Sequence, residues 1–273
     1  LNSEVLLQNI QLNSAVADSV EPVNINQLSG DFTWEKGTIG WDFSGENLLI
    51  DINQQQWPKT NFTINKNFEE IVTADVDYLR LSDLSAIALL TDVLPDDLRL
   101  QKPAGDVTAL HLVHTPQHGI NSLAMSLNEF AVLPWRDIPG ITGLTATVDW
   151  HNGIATVDLD SHQLSLYPEK WLDDAVYFDY ASGQIRWQQD LNWQFVASDF
   201  QLWNDDFTIQ LEGSFEHDNG ITQSDLNIKI EQLNVSRWQQ YVPQSMLDED
   251  FKEWSDNAFV AGTVVDGEIT LKG

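Results

Sequence analysis

LPWRDIPGITGLTATVDWHNGIATVDLD, running from Leu133 to Asp160, holds the turn from which the fold can be read. Asn152-Gly153 is the dipeptide that most readily supplies the two positive φ angles of a two-residue type I′ turn, so His151 should pair with Ile154 and the pairing should continue outward. In that register Ala146, Val148 and Trp150 fall opposite Leu159, Val157 and Ala155. These six apolar side chains share one face, while Thr145, Thr147, Asp149, Thr156, Asp158 and Asp160 share the other. Upstream, Pro134, Pro139, Gly140 and Gly143 do not suit a regular strand interior, so they mark a crossover that closes one structural unit and opens a second.

The same habit appears on either side. GDFTWEKGTIGWDF, Gly30 to Phe43, reads as a hairpin with its loop at Glu35 to Thr38, putting Phe32, Trp34, Ile39 and Trp41 on one face. GQIRWQQDLNWQF, Gly183 to Phe195, does the same with Ile185, Trp187, Leu191 and Trp193 on one face and Gln184, Arg186, Asn192 and Gln194 on the other. Gly30 and Gly183 lie 153 residues apart, and EPVNINQLSG, Glu21 to Gly30, aligns without gaps to DAVYFDYASG, Asp174 to Gly183. Downstream, LRLSDL, Leu79 to Leu84, overlies LNVSRW, Leu233 to Trp238, with 154 residues between the serines. Two distant segments that keep one spacing point to an internal duplication of about 150 residues, each copy a multi-strand module. The expected division is 1–133 and 134–273, with the sheet continuous across both.

Each copy carries a helical interruption. In the first, Ser82 is the expected N-cap, Leu84, Ile87, Leu90 and Leu94 form the apolar stripe, and Pro95 ends the run. In the second, Ser236 caps a short turn through Trp238 and Tyr241 that stops before Pro243. A further helix then runs from Met246 to Ala258, capped by Ser245, with Leu247, Phe251, Trp254 and Ala258 on one side. Strands return over Asp106 to His114 and Thr263 to Lys272. Between these, Phe200 and Leu202 lead through a turn at Asn204-Asp205 to Phe207, Ile209 and Leu211, and Leu226, Ile228 and Ile230 alternate with polar residues. The whole reads as an antiparallel meander, mainly β, with one apolar face and a few short helices.

Composition narrows the function. Thirteen Lys plus Arg against 42 Asp plus Glu give a formal charge of −29, which repels phosphate backbones and makes nucleic acid an unsuitable partner. The absence of cysteine excludes disulfides, thiol catalysis and Cys-ligated metal and leaves the compartment open. No apolar run has the roughly 18 to 20 residues that span a bilayer, and the chain starts without a charged leader, which reads as a piece of a longer protein.

Chemistry finds little to stand on. His111, His114 and His118 are the one histidine cluster, but residues three apart on a strand point to opposite faces, so exposed strand and loop histidines are the expected reading and no metal is assigned. Asp96-Asp97, Asp173-Asp174 and Asp205-Asp206 suit turns and first helical turns, and none has the spacing of a calcium loop. Asp149 beside Trp150, or Asp199 beside Phe200, would be the choice for a glycosidase, though nothing in the spacing selects them. There is no Gly-x-Ser-x-Gly, phosphate loop or dinucleotide fingerprint. Neither catalytic residues nor a cofactor are assigned, and the expectation is a protein that is not an enzyme.

FAVLPWRDIPGITGLTATVDW, followed by a meander ending in LNIKIEQLNVSRWQQYVPQ, an acidic helix with FKEW, and AGTVVDGEITLKG, resembles the AsmA-like YhdP family of Gram-negative envelope proteins. The run from Pro134 to Leu144, Pro-Trp-x-x-Ile-Pro-Gly-Ile-x-Gly-Leu, is the most specific part of the likeness. The resemblance implies an internal periplasmic segment of an inner-membrane-anchored protein. It further implies a long, twisted, taco-like sheet whose apolar groove conducts phospholipids between inner and outer membranes. The groove candidates are then Phe32, Trp34, Ile39, Trp41, Ala146, Val148, Trp150, Ala155, Val157, Leu159, Ile185, Trp187, Leu191, Trp193, Phe207, Ile209, Leu211, Leu226, Ile228 and Ile230. The implied partners are phospholipid acyl chains, neighbouring modules of the same longer chain through the sheet edges near Val5 to Leu12 and Thr263 to Leu271, and the two membranes through other parts of the chain.

Taken from the residues alone, the amphipathic strands also suit an ordinary sandwich or barrel core. Two functions therefore stand at this level: a lipid-conducting segment, and a non-catalytic β scaffold or protein- or glycan-binding module with a fully packed core.

Overall fold

The computed structural model describes residues 1–14, 21–90, 100–136, 138–170, 172, 174–189, 193–218, 221–242 and 248–273. Leu94, Pro95, Asp96, Asp97, Asp173, Leu191, Asn192, Pro243, Ser245, Met246 and Leu247 lie outside them, and Phe251 is described by its backbone alone. Runs of alternating apolar and polar residues form the strands β1 (Asn2–Leu12), β2 (Val23–Lys36), β3 (Gly40–Ile52), β4 (Gln55–Gln56), β5 (Thr60–Asn67), β6 (Val72–Arg80) and β7 (Ala104–Thr115). They continue as β8 (Gly119–Val132), β9 (Gly140–His151), β10 (Ile154–Tyr167), β11 (Val176–Gln189), β12 (Trp193–Trp203), β13 (Phe207–Asp218), β14 (Ile221–Asn234) and β15 (Thr263–Lys272). Each pairs with its neighbour in sequence in one antiparallel sheet of 15 strands, with β4 as a side branch on β3 and with β1 and β15 at the two edges. No second sheet is present among the described residues.

Contacts divide the chain into two compact units, Leu1–Phe130 with Thr147–Asn152, and Ala131–Ala146 with Gly153–Gly273. The turn after β9 has Asn152 at φ 49° and Gly153 at φ 83°, the two positive angles that a type I′ hairpin requires. The β2–β3 turn starts two residues later and ends one residue later than the sequence suggests. Strand β2 runs through Lys36 and β3 begins at Gly40, so Ile39 lies in the turn itself, 67% exposed.

The helices also differ in detail from expectation. Helix α1 (Leu81–Leu89) starts from Arg80, which gives no side-chain cap, and Ser82 sits inside the first turn. The 3-10 helix over Val235–Tyr241 is capped by Asn234 instead of Ser236: the Asn234 side chain accepts from the Ser236 backbone N–H at 3.2 Å and from the Ser236 hydroxyl at 2.8 Å. A third helix, α2, covers Glu249–Ala258. The turn after β12 is held by Asn204, whose Oδ1 accepts from the backbone N–H groups of Asp206 and Phe207 at 2.9 and 3.0 Å.

Strict alternation is broken at seven non-glycine strand residues with left-handed φ, Asn9, Asn47, Ala109, Glu129, Gln163, Asp199 and Asp266. Two of them recur in matching surroundings. Gly30 sits where the β2–β3 register shifts opposite Asn47, and Gly183 sits where the β11–β12 register shifts opposite Asp199, both partners at φ 54°. Such a bulge puts two residues against one and turns the strand, so side chains on either side of it can rejoin the same face.

Candidate functional site

In the second unit, cross-strand pairing gathers the apolar residues into rows on one face. Ala155 pairs with Trp187, Trp187 with Phe195, and Phe195 with Phe215. The next row runs from Val157 through Ile185, Ala197, Gly213 and Leu226 to Leu271. A third continues from Phe200 through Leu211 and Ile228 to Ile269, and a fourth from Ala181 through Leu202, Ile209 and Ile230 to Gly267. Leu159 pairs with Gly183, the position over which the Phe200 ring lies. A Cβ there would stand 2.5 Å from Phe200 Cδ2, and φ is +142°, so glycine is required both by backbone and by space.

Among the described residues, one end of this face is covered. Leu164, Val176, Phe178, Ala181 and Phe207 form a buried cluster, joined by Ile209, Leu233 and Tyr241 of the 3-10 helix. Tyr241 packs edge-on against Phe207 at 4.8 Å, and its hydroxyl donates to Asp206 Oδ2 at 2.7 Å. Burial, with that bond to a carboxylate, pushes the Tyr241 hydroxyl up to about 12. Away from this cap, Val157, Ile185, Trp187, Leu211, Leu226 and Ile228 are half-buried and belong to neither buried cluster.

The first unit repeats this division into a covered and an uncovered end. Its buried cluster, Val23, Ile52, Trp57, Tyr78 and Leu90, takes in Ala86 and Ile87 of α1. The helix is tied down by polar bonds: the Trp57 indole N–H donates to buried Asp83 at 2.7 Å, and Arg80 lies 3.6 Å from Asp83 and 3.8 Å from Asp106. Tyr78 donates to Asp106 at 2.7 Å, and its burial, reinforced by that carboxylate, raises its hydroxyl to about 12. At the far end, Phe32 pairs with Gly45 and Gly45 with Phe62, while Trp34 pairs with Phe43 and Phe43 with Ile64. The ring of Phe62 crosses Gly45, whose absent side chain leaves the room, and meets Phe43 at 5.1 Å. Trp34 stacks on Trp41 at 5.1 Å and 19°.

Phe32, Trp34 and Trp41 thus share one aromatic surface, as the alternation predicts, and Ile39 stands apart from it in the exposed turn. Val148 is half-buried and Ala146 buried, while the Trp150 indole donates to the Ile120 carbonyl at 3.4 Å. Trp193 lies flat on His217 at 5.7 Å. Phe207 and Ile230 are placed in or beside the covered end, Phe207 within its buried cluster. Sequence reasoning omitted Phe43, Phe62, Phe195 and Phe215 from the candidate face. Their signal was present, since Phe62 alternates with Ile64 and Phe195 follows Trp193 at the strand period.

The remaining polar candidates stay dispersed. His111 Nδ1 meets exposed Asp75 at 2.7 Å, His114 pairs across from Val72, and His118 sits in the turn after β7. No group of three or more His, Asp or Glu side chains among the described residues is placed to hold a metal ion. No helix among them is long and apolar enough to cross a membrane. A family model described as YhdP protein matches residues 1–273. No curated protein and no solved structure matches the chain.

Proposed function

The chain belongs to the YhdP family over its whole length, and from that premise we propose that it is a segment of a periplasmic bridge along which phospholipids pass between inner and outer membranes. The observation that carries this reading is the uncovered apolar face: cross-strand rows of Val, Ile, Leu, Phe and Trp that no second layer of the described residues shields. A packed binding module would bury these rows, whereas an acyl chain supplies the missing cover. Transfer of hydrocarbon from water to such a surface contributes about 0.8 kcal/mol per methylene, so a 16-carbon chain gains on the order of 12 kcal/mol before ordering costs. Within a row, apolar positions follow one another at the strand spacing of about 4.8 Å, so an alkyl chain meets no deep local well as it slides across the strands. No catalytic residue, metal or cofactor enters this function.

The matching bulges at Gly30 and Gly183 support reading the two units as copies of one module, each with a helix-capped end and an open end. The edge strands β1 and β15 are the places where neighbouring modules of a longer chain would continue the sheet. Native mass spectrometry with solvent extraction of the chain purified from a bacterial host tests the proposal. Co-purifying phospholipid, lost when Ile185, Leu211 or Ile228 is replaced by Asp in folded variants, is the expected result. A lipid-free chain that also takes up none from phospholipid vesicles would transfer the argument to a scaffold role.

A further inference from the structure

Thirteen cationic side chains stand against 42 carboxylates in this chain, so a cation on an apolar face is a marked departure from its surroundings. Two occur on the aromatic face of the first unit, in one cross-strand row. Lys36 pairs with Trp41, Trp41 with Lys66, and Lys66 with Val72, which in turn faces His114. The adjoining row is wholly apolar, from Trp34 through Phe43, Ile64 and Ala74 to Leu112. Alternation puts Lys36 on the face of Trp34, and Lys66 on the face of Ile64 and Phe62. The face therefore changes from hydrocarbon-like to cationic within a single step along the strands, at the end opposite the α1 cap.

We propose that Lys36 and Lys66, flanking Trp41, form a subsite for the phosphodiester of a glycerophospholipid headgroup whose acyl chains lie on the aromatic surface behind it. This rests on the lipid-conduit reading and adds a polar recognition element to it. The two lysines are on strands either side of β3, about 10 Å apart at the backbone, a span their flexible butylammonium chains can close over one phosphate. Trp41, stacked on Trp34, supplies an apolar floor on the strand between those of the two lysines. Lys36 makes no ion pair among the described residues, and Lys66 meets the exposed Glu70 at 3.1 Å. That carboxylate is in reach of the same headgroup, where it disfavours a bare anion and suits one carrying an ammonium or hydroxyl beyond the phosphate. At the comparable edge of the second unit, Gln189 pairs with Trp193 and Trp193 with His217, so the indole is kept and the lysines are not. The cationic row is a property of the first unit.

The test is lipid uptake from vesicles of phosphatidylcholine containing either tracer phosphatidylethanolamine or tracer diacylglycerol with identical acyl chains, read by extraction of the re-purified chain. Wild type should take up the phospholipid about tenfold better than the diacylglycerol, the discrimination expected of charge-assisted bonds to one phosphate. Lys36→Gln with Lys66→Gln should remove that preference and leave diacylglycerol uptake unchanged, while Lys36→Arg with Lys66→Arg should keep it. Unchanged far-UV circular dichroism and diacylglycerol uptake would show that the Gln variant is folded. Persistence of the preference in the Gln variant would overturn the subsite, as would equal uptake of both lipids by wild type, and in either case the conduit reading would stand. Competition by soluble glycerophosphate at concentrations comparable to the lipid would also overturn it, because the site would then hold free phosphate without the acyl surface. Uptake of neither lipid by wild type would overturn the subsite and the conduit together.

Discussion

Replacing Leu211 by Asp and, separately, Phe207 by Asp distinguishes an open apolar face from a packed core. The two residues are four apart on β13 and point to the same side, so a conventional core would treat them alike. The structure does not. Phe207 is buried among Phe178, Ile209, Leu233 and Tyr241, whereas Leu211 is half-buried and lies between Phe200 and Ile228 outside the cluster. Losing a buried aromatic ring costs about 3 to 5 kcal/mol, and an unpaired carboxylate in its place adds to that, so Phe207→Asp should destabilise by about 4 kcal/mol or more. At Leu211 the ionised carboxylate can remain in water, and only about half of a leucine's burial is lost, about 1 kcal/mol. Urea unfolding followed by tryptophan fluorescence, on chain stripped of lipid so that no acyl chain covers the face, measures both. A Leu211→Asp cost matching that of Phe207→Asp would refute the open face, since it would require a cover over both rows.

Three further outcomes follow from the geometry. Gly183→Val puts a Cβ 2.5 Å from Phe200 Cδ2 and 2.8 Å from its Cα at a left-handed φ, and should cost about 2 kcal/mol or more, read as a lower thermal midpoint. Tyr78 and Tyr241 hold their protons up to about 12 when folded, against an ordinary value near 10, so the folded state binds more protons between those values. Stability should therefore be fully present below about pH 10 and fall as pH rises toward 12, by at most about 1.4 kcal/mol per pH unit for each tyrosine, and Tyr78→Phe should flatten the decline in urea titrations. Among the described residues the strands β1 and β15 are the two edges of the sheet, so the isolated chain should associate with increasing concentration in sedimentation velocity. Lys at Leu7 or Val265, both exposed, should reduce the association, and a concentration-independent monomer would count against open edges.

Much of this architecture is written in local pattern. Asn152-Gly153 dictates its turn because few other dipeptides tolerate two positive φ angles, and the alternation around Ile185 and Trp187 dictates a half-solvated strand. The seven left-handed strand residues are another matter. Nothing in the side chains of Ala109, Glu129 or Gln163 announces a left-handed φ, because that conformation arises from how neighbouring strands coil and not from a local preference. Helix caps were misassigned for a similar reason. Ser82 and Ser236 are good capping residues, but the strands β6 and β14 run directly into their helices and leave the first turn to begin at Arg80 and Asn234. The apolar face was legible as a list of residues, but not whether anything covered it. That depends on where α1 and the 3-10 helix land, which is fixed by long-range partners such as Trp57 with Asp83 and Tyr241 with Asp206. The cationic row could not be seen at all until pairing brought Lys36 and Lys66 to either side of Trp41.

Site-specific photo-crosslinking reports lipid contact most directly. A photoreactive amino acid replaces Ile228 on the apolar face in one variant and its neighbour Asn227, which faces the other way, in a second, and each chain is irradiated in cells labelled with radioactive phosphate. Phospholipid adducts at position 228 and none at 227 are the predicted result. Equal labelling at the two positions, or none at either, would contradict a lipid-conducting face.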